Sequence, residues 1–86
     1  MSVIRGRVTS SGGRPRAGIR VYFVATPGPE PDIAAVTDDK GEFLLAARHT
    51  GEYAVAATDD AGRSVSRKIT LDSDQAPDLS IEMTDE

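Results

Sequence analysis

The sequence has no cysteine, no tryptophan and no asparagine, with one histidine and two lysines. Without cysteine there is no disulfide, no thiolate nucleophile and no Cys-ligated zinc. Stability must then come from packing or from a partner. One imidazole, His49, falls short of the three or four ligands a zinc site wants, and neither metal nor cofactor is expected. The aromatics are Tyr22, Phe23, Phe43 and Tyr53, too few for a platform on which bases stack. A net charge of −4 opposes the basic surface nucleic acid requires. No apolar run approaches the roughly 18 residues of a membrane span, so no membrane insertion is expected. The N-terminus, MSVIRGRV, lacks the apolar stretch of a secretory signal. A complete chain would stay in the cytoplasm; a module cut from a secreted parent would be extracytoplasmic.

The 86 residues amount to one small domain, 1–86 with a core over about 3–83, near the lower limit for a self-sufficient interior. Turn signals recur along it: SSGG (Ser10–Gly13), TPGPEP (Thr26–Pro31), DDKG (Asp38–Gly41), HTG (His49–Gly51), DDAG (Asp59–Gly62) and DSDQAP (Asp72–Pro77). Between them apolar and polar residues alternate with period two. Ile4, Gly6 and Val8 share a face, as do Ile19, Val21 and Phe23. Phe43 with Leu45 form another such set, then Tyr53, Val55 and Ala57, then Val65, Ile69 and Leu71, and finally Leu79, Ile81 and Met83. A short segment from Ile33 to Val36 completes about seven strands. Short alternating strands with evenly spaced turns, and no helical stretch to compete, predict an all-β antiparallel sandwich or barrel. Gly6 on an inward face either leaves a gap or lets another group approach closely.

Thr-Asp-Asp-x-Gly occurs twice, at Thr37–Gly41 and Thr58–Gly62. Paired aspartates could bind calcium, but an EF-hand loop wants oxygen ligands at alternating positions and a distal Glu. Lys40 and Ala61 stand in that space. The alternative is turn chemistry: an early Asp accepts from backbone N–H groups two residues on, and Gly takes the left-handed position. The second reading is preferred. The TPGPEPD segment, Thr26–Asp32, reads as a stiff connection guarding a sheet edge rather than as a polyproline ligand.

Charge is uneven. Arg5, Arg7, Arg14, Arg16 and Arg20 precede any acid, whereas Asp72, Asp74, Asp78, Glu82, Asp85 and Glu86 close the chain without a base. The first could be a basic patch and the last an acidic tail. The preferred reading makes the two ends neighbours that neutralise each other.

The runs IRGRV (Ile4–Val8), RPRAGIRVYF (Arg14–Phe23), TDDKGEFLL (Thr37–Leu45), TGEYAVAA (Thr50–Ala57) and DLSIEM (Asp78–Met83) resemble the carboxypeptidase regulatory-like domain, which is related to Cna-B-type domains. The resemblance spans Val3–Met83 and implies a seven-stranded Greek-key β-sandwich of transthyretin, or prealbumin, type. It implies one sheet around Arg5–Arg7, Phe43–Leu45 and Leu79–Ile81. A second sheet would gather Ile33–Val36, Val21–Phe23, Tyr53–Val55 and Val65–Ile69, with HTG as a corner between the two. First and last strands would lie side by side, with Arg5 and Arg7 beside Glu82. Such a fold hosts many roles.

Transthyretin-like chains include 5-hydroxyisourate hydrolase, which relies on several histidines and a C-terminal Tyr-Arg-Gly-Ser; this chain has His49 alone and ends Met-Thr-Asp-Glu. Cna-B-type domains often carry an isopeptide bond from a first-strand Lys to a last-strand Asn or Asp. Here the first strand offers Arg5 and Arg7, and the lysines are Lys40 and Lys68. Guanidinium stays protonated and is no nucleophile. His49 has no serine in a nucleophile-elbow context, and GGRP at Gly12–Pro15 precedes a strand rather than the helix a phosphate loop needs.

What remains is a non-catalytic module that binds or spaces protein domains, with a protein partner or adjoining domain and room for a weak homodimer. The outward positions of the second sheet, Tyr22, Val24, Ala54 and Ala56 with Ser64 and Ser66, form an uncharged strip suited to such a contact. Carbohydrate binding or adhesion is the alternative, and it wants an aromatic platform that Tyr22 alone does not make.

Overall fold

Alternation in the sequence becomes alternation in burial. The structure is a computed structural model that describes residues 2–28, 34–72 and 78–83. Its strands are β1 (Ser2–Ser10), β2 (Arg20–Ala25), β3 (Ala35–Val36), β4 (Glu42–Ala47), β5 (Gly51–Thr58), β6 (Ser64–Leu71) and β7 (Asp78–Met83). In β4 and β7 every second residue is buried and the others are exposed, as a strand with one wet face requires. The strands form two sheets, ordered β4-β1-β7 and β3-β2-β5-β6, the two groupings the resemblance implied. Between them lie Ile4, Val8, Ile19, Val21, Phe43, Leu45, Tyr53, Val55, Leu71, Ile81 and Met83, all buried, with Phe23, Ala35, Val65 and Ile69 at the margin.

Two features lock this interior. A Cβ on Gly6 would lie 2.6 Å from Phe43 Cε2 and 2.5 Å from the Leu79 carbonyl oxygen. Gly6 therefore leaves no gap; the Phe43 ring lies where a side chain would be. At the crossing from β4 to β5, the Tyr53 hydroxyl donates to His49 O at 2.6 Å and accepts from His49 N at 3.2 Å. HTG is thus a corner between sheets, pinned by a buried tyrosine whose ring also packs against Phe23 at 4.9 Å.

One pairing departs from the expected antiparallel pattern. β1 and β7 run parallel, with Arg5 opposite Asp78, Arg7 opposite Ser80 and Thr9 opposite Glu82. The cause is topological. β6 ends at Leu71, which pairs with Gly51 at the start of β5. That is the pole where β1 begins, since Ser2 pairs with Ala47, and a chain re-entering the first sheet there must run alongside β1. The expected contact of Arg5 and Arg7 with Glu82 is therefore corrected. Arg7 pairs instead with Glu42 on β4, Nη2 to Oε2 at 3.2 Å, because Arg7 and Glu42 are direct cross-strand partners. Both side chains are about half exposed, so the pair contributes less than about 1 kcal/mol.

The edge strand of the second sheet is shorter than the sequence predicts, with β3 holding only Ala35 and Val36; Ile33 lies outside the described residues. So do Pro29–Asp32 of the proline-rich connection, most of the DSDQAP turn, and Asp85 and Glu86.

Candidate interaction surface

The twin acidic motifs are the chain's most conspicuous polar groups. Asp38 Oδ1 accepts from the N–H groups of Lys40 and Glu42, both at 2.9 Å. Asp38 O accepts from Gly41 N at 2.9 Å. Asp59 repeats the arrangement: its Oδ1 accepts from Ala61 N at 3.0 Å and Arg63 N at 2.9 Å, and its carbonyl accepts from Gly62 N at 3.1 Å. Gly41 and Gly62 sit at φ +76° and +83°, the left-handed region that glycine enters without penalty. One turn solution is used twice, and in each the first aspartate is a backbone acceptor.

Their surroundings differ. Asp38 is exposed, and its carboxyl is held below the ordinary 3.8, first by the Glu42 N–H, which outweighs an opposing desolvation, and to a lesser degree by the N–H and charge of Lys40. Asp59 is buried to 8% exposure. Its Oδ2 forms no hydrogen bond but lies 3.3 Å from Arg63 Nε and 3.7 Å from Arg16 Nη2, so charge rather than directed bonding satisfies it. The preceding threonines diverge too. Thr37 is buried, accepting from Ile19 N at 3.0 Å and donating to Arg16 O at 2.6 Å. Thr58 instead bonds the Tyr22 hydroxyl at 2.9 Å and Ser64 at 3.0 Å. The turn role of Asp59 is a local pattern, but only the fold brings Arg16 to its Oδ2.

Tyr22, Val24, Ala54 and Ala56 of the expected strip lie on the neighbouring strands β2 and β5 of the second sheet, with uneven exposure. Tyr22 stands opposite Ala56, and Ala54 opposite Lys68. Tyr22 and Ala54 are half-buried, Val24 is 60% exposed and Ala56 only 5%. A register irregularity between Phe23 and Ala25 leaves Val24 without a cross-strand partner, which accounts for its projection. The Tyr22 hydroxyl is already engaged by Thr58, so the ring rather than the hydroxyl is what this face offers. Lys68 bounds the strip on one side.

A second exposed apolar region was not anticipated. Val3, Leu44 and Val36 are 46%, 57% and 61% exposed. Val3 is the cross-strand partner of Ala46, beside Leu44 on β4. A groove of about 460 Å³ follows the β4 side of the molecule, lined by Arg5, Ala35, Val36, Asp38, Glu42, Phe43 and Leu44. The signal for it was present in Phe43–Ala47, an apolar run on both parities that a strand with one wet face does not need.

Comparison with known proteins bears on the fold and the family. The carboxypeptidase regulatory-like domain matches residues 3–84. Among solved structures, the major pilin subunit BcpA of Bacillus cereus aligns over 99% of this chain and 30% of its own, at 15% identity and a TM-score of 0.70. A type II cohesin–X–dockerin complex of Acetivibrio cellulolyticus, a C-terminal interface mutant, contains a chain aligned over 96% of this one and 57% of its own, at 27% identity and a TM-score of 0.61. This chain therefore spans about a third to somewhat over half of those proteins. No match is found among curated proteins.

Proposed function

The chain belongs to the carboxypeptidase regulatory-like domain family, and from that premise we propose that it is a non-catalytic module, Val3–Met83, that spaces and docks neighbouring protein domains. The observation that carries this reading is the parallel adjacency of β1 and β7. Ser10, at the end of β1, lies opposite Met83, at the end of β7. The chain thus enters at the pole of Ser2 and leaves at the opposite pole, which is the geometry of a link in a tandem series. The molecule is 35 Å along its longest axis. A pilin subunit and a protein of a cohesin–dockerin complex are both assembly proteins by name, and a spacing or docking role agrees with that company.

Chemistry supports the same reading. Asp38 and Asp59 serve their turns, and Tyr53 binds the backbone of His49. Phe23, Phe43 and Tyr53 belong to the core or its margin, leaving half-buried Tyr22 as the sole aromatic for a sugar, so carbohydrate binding trails. The adjoining domain would meet the outer face of the second sheet at Tyr22, Val24 and Ala54, with Ala56 as its floor.

Two copies fused end to end, studied by small-angle scattering, test the spacing role: the longest dimension should roughly double, and a particle that folds back to a single module's length would overturn it. For the docking face, Tyr22→Asp with Ala54→Glu should abolish association with the flanking domain while the β spectrum persists. Unchanged association would dismiss that face.

A further inference from the structure

Strand β4 is an edge of its sheet, and its register fixes which peptide groups face outward. Val8 N donates to Gly41 O at 2.7 Å. By antiparallel alternation, Phe43, Leu45 and Ala47 then turn their peptide groups toward β1, while Glu42, Leu44 and Ala46 turn theirs away. The groups of Glu42 are taken by the Asp38 turn: Glu42 N donates to Asp38 Oδ1 at 2.9 Å and Glu42 O accepts from Asp38 N at 3.1 Å. Those of Leu44 and Ala46 point away from β1, where no strand of the described residues pairs with them. Natural edges are commonly guarded by lysine, proline or a bulge; Glu42–Ala47 reads EFLLAA and has none of these. Beyond Glu42 its outward side chains, Leu44 and Ala46, are apolar, with Leu44 57% exposed beside Val3 at 46%.

We propose that a second copy of this chain pairs with β4 in antiparallel fashion, about a two-fold axis at Leu45. That register sets Leu44 opposite the partner's Ala46 and Ala46 opposite the partner's Leu44, so all four outward peptide groups of each copy are bonded. Moving the axis to Leu44 sets Ala46 against the partner's Glu42, whose groups the turn has already taken. Moving it to Ala46 sets Leu44 against the partner's Arg48, beyond the strand. The Leu45 register also sets Glu42 opposite the partner's Arg48, twice by symmetry, so opposite charges meet at both ends of the seam. On the outer face the row of Val3, Ala46 and the partner's Leu44 runs unbroken across the junction. The contact is isologous and closes on itself as a dimer, joining two three-stranded sheets into one of six strands.

Sedimentation of the full chain over a concentration series tests this. A reversible monomer–dimer equilibrium is expected. Arg48→Glu, at an exposed position, should weaken it at least about tenfold, because a carboxylate then faces Glu42 at both ends of the seam. Glu42→Arg in the same chain should restore most of the loss. Ala46→Pro removes an outward N–H that β1 does not use and should abolish pairing. The Tyr22→Asp, Ala54→Glu pair should leave it unchanged, which separates this edge from the docking face. A monomer at every concentration, a dimer indifferent to Arg48→Glu and Ala46→Pro, or a monomeric complex with another domain's strand at this edge would each overturn the proposal.

Discussion

Replacing Gly41 and Gly62 by alanine, one at a time, separates two turns that look identical in sequence. Both glycines are left-handed, at φ +76° and +83°, and an L-residue there costs about 1–2 kcal/mol. Around Gly62 an added Cβ meets nothing within 4 Å, so that conformational cost is the whole cost. Around Gly41 the same atom would collide with the Val8 carbonyl oxygen and lie 3.1 Å from Arg16 N and 3.3 Å from Pro15 Cβ. Two of these three are main chain and cannot swing aside. Overpacking adds about 1–3 kcal/mol, giving about 2–5 kcal/mol for Gly41→Ala. The displaced backbone also carries the bonds Val8 N to Gly41 O at 2.7 Å and Arg16 N to Val8 O at 2.9 Å. An 86-residue domain has a total stability of about 4–13 kcal/mol, so this loss is a large share. With a urea m-value of about 1 kcal/mol/M, the unfolding midpoint should fall by about 1–2 M for Gly62→Ala and about twice that for Gly41→Ala, at unchanged m. Equal shifts, or a larger one at Gly62, would refute the distinction.

Three further outcomes are expected. Tyr53→Phe removes the hydroxyl that holds His49 from both its N and its O; stability should fall by about 1–3 kcal/mol, and the His49 amide should exchange faster with solvent than amides in β5. Gly6→Ala should cost about 1–3 kcal/mol by overpacking, and Phe43→Leu should relieve only part of it, because the Leu79 carbonyl stays in place; full rescue in denaturation would contradict that geometry. Asp38 has a depressed folded-state pKa, so its stabilisation is present in full above the unfolded value of about 3.8 and is lost as pH falls through the folded one. The stability gap between wild type and Asp38→Ala should therefore narrow as pH is lowered below that point, and a gap constant down to acid pH would contradict it.

The core was legible because burial follows period two. Val21, Val55, Ile81 and Met83 could be assigned to the interior from parity alone, and all are buried. The Asp-x-x-Gly turns were legible because a single φ > 0 residue preceded by an Asp acceptor is a local pattern. What depended on distant chain was not. The parallel course of β7 follows from where β6 ends, which parity does not encode. The partner of Arg7 is Glu42 because the intervening chain folds back in one register among several. Asp59 and Arg16 meet only when three loops share a pole. On the candidate face, alternation placed Ala56 outward, but the packing of its neighbours leaves it 5% exposed. Leu44 and Val3 passed as ordinary strand residues because an edge strand is recognised from sheet order, which the sequence does not state.

The parallel course of β1 and β7 carries the proposed spacing role, and a single distance tests it. A chain without cysteine accepts labels at Val3→Cys and Glu82→Cys alone. Thr9 is opposite Glu82, and about six residues of strand at about 3.3 Å each separate it from Val3, so paired spin labels should report backbones about 20 Å apart. A separation of about 11 Å or less, as an antiparallel β7 over the same residues would give with Glu82 near Gly6, would mean that both ends of the module leave from one pole and that it is no link in a series.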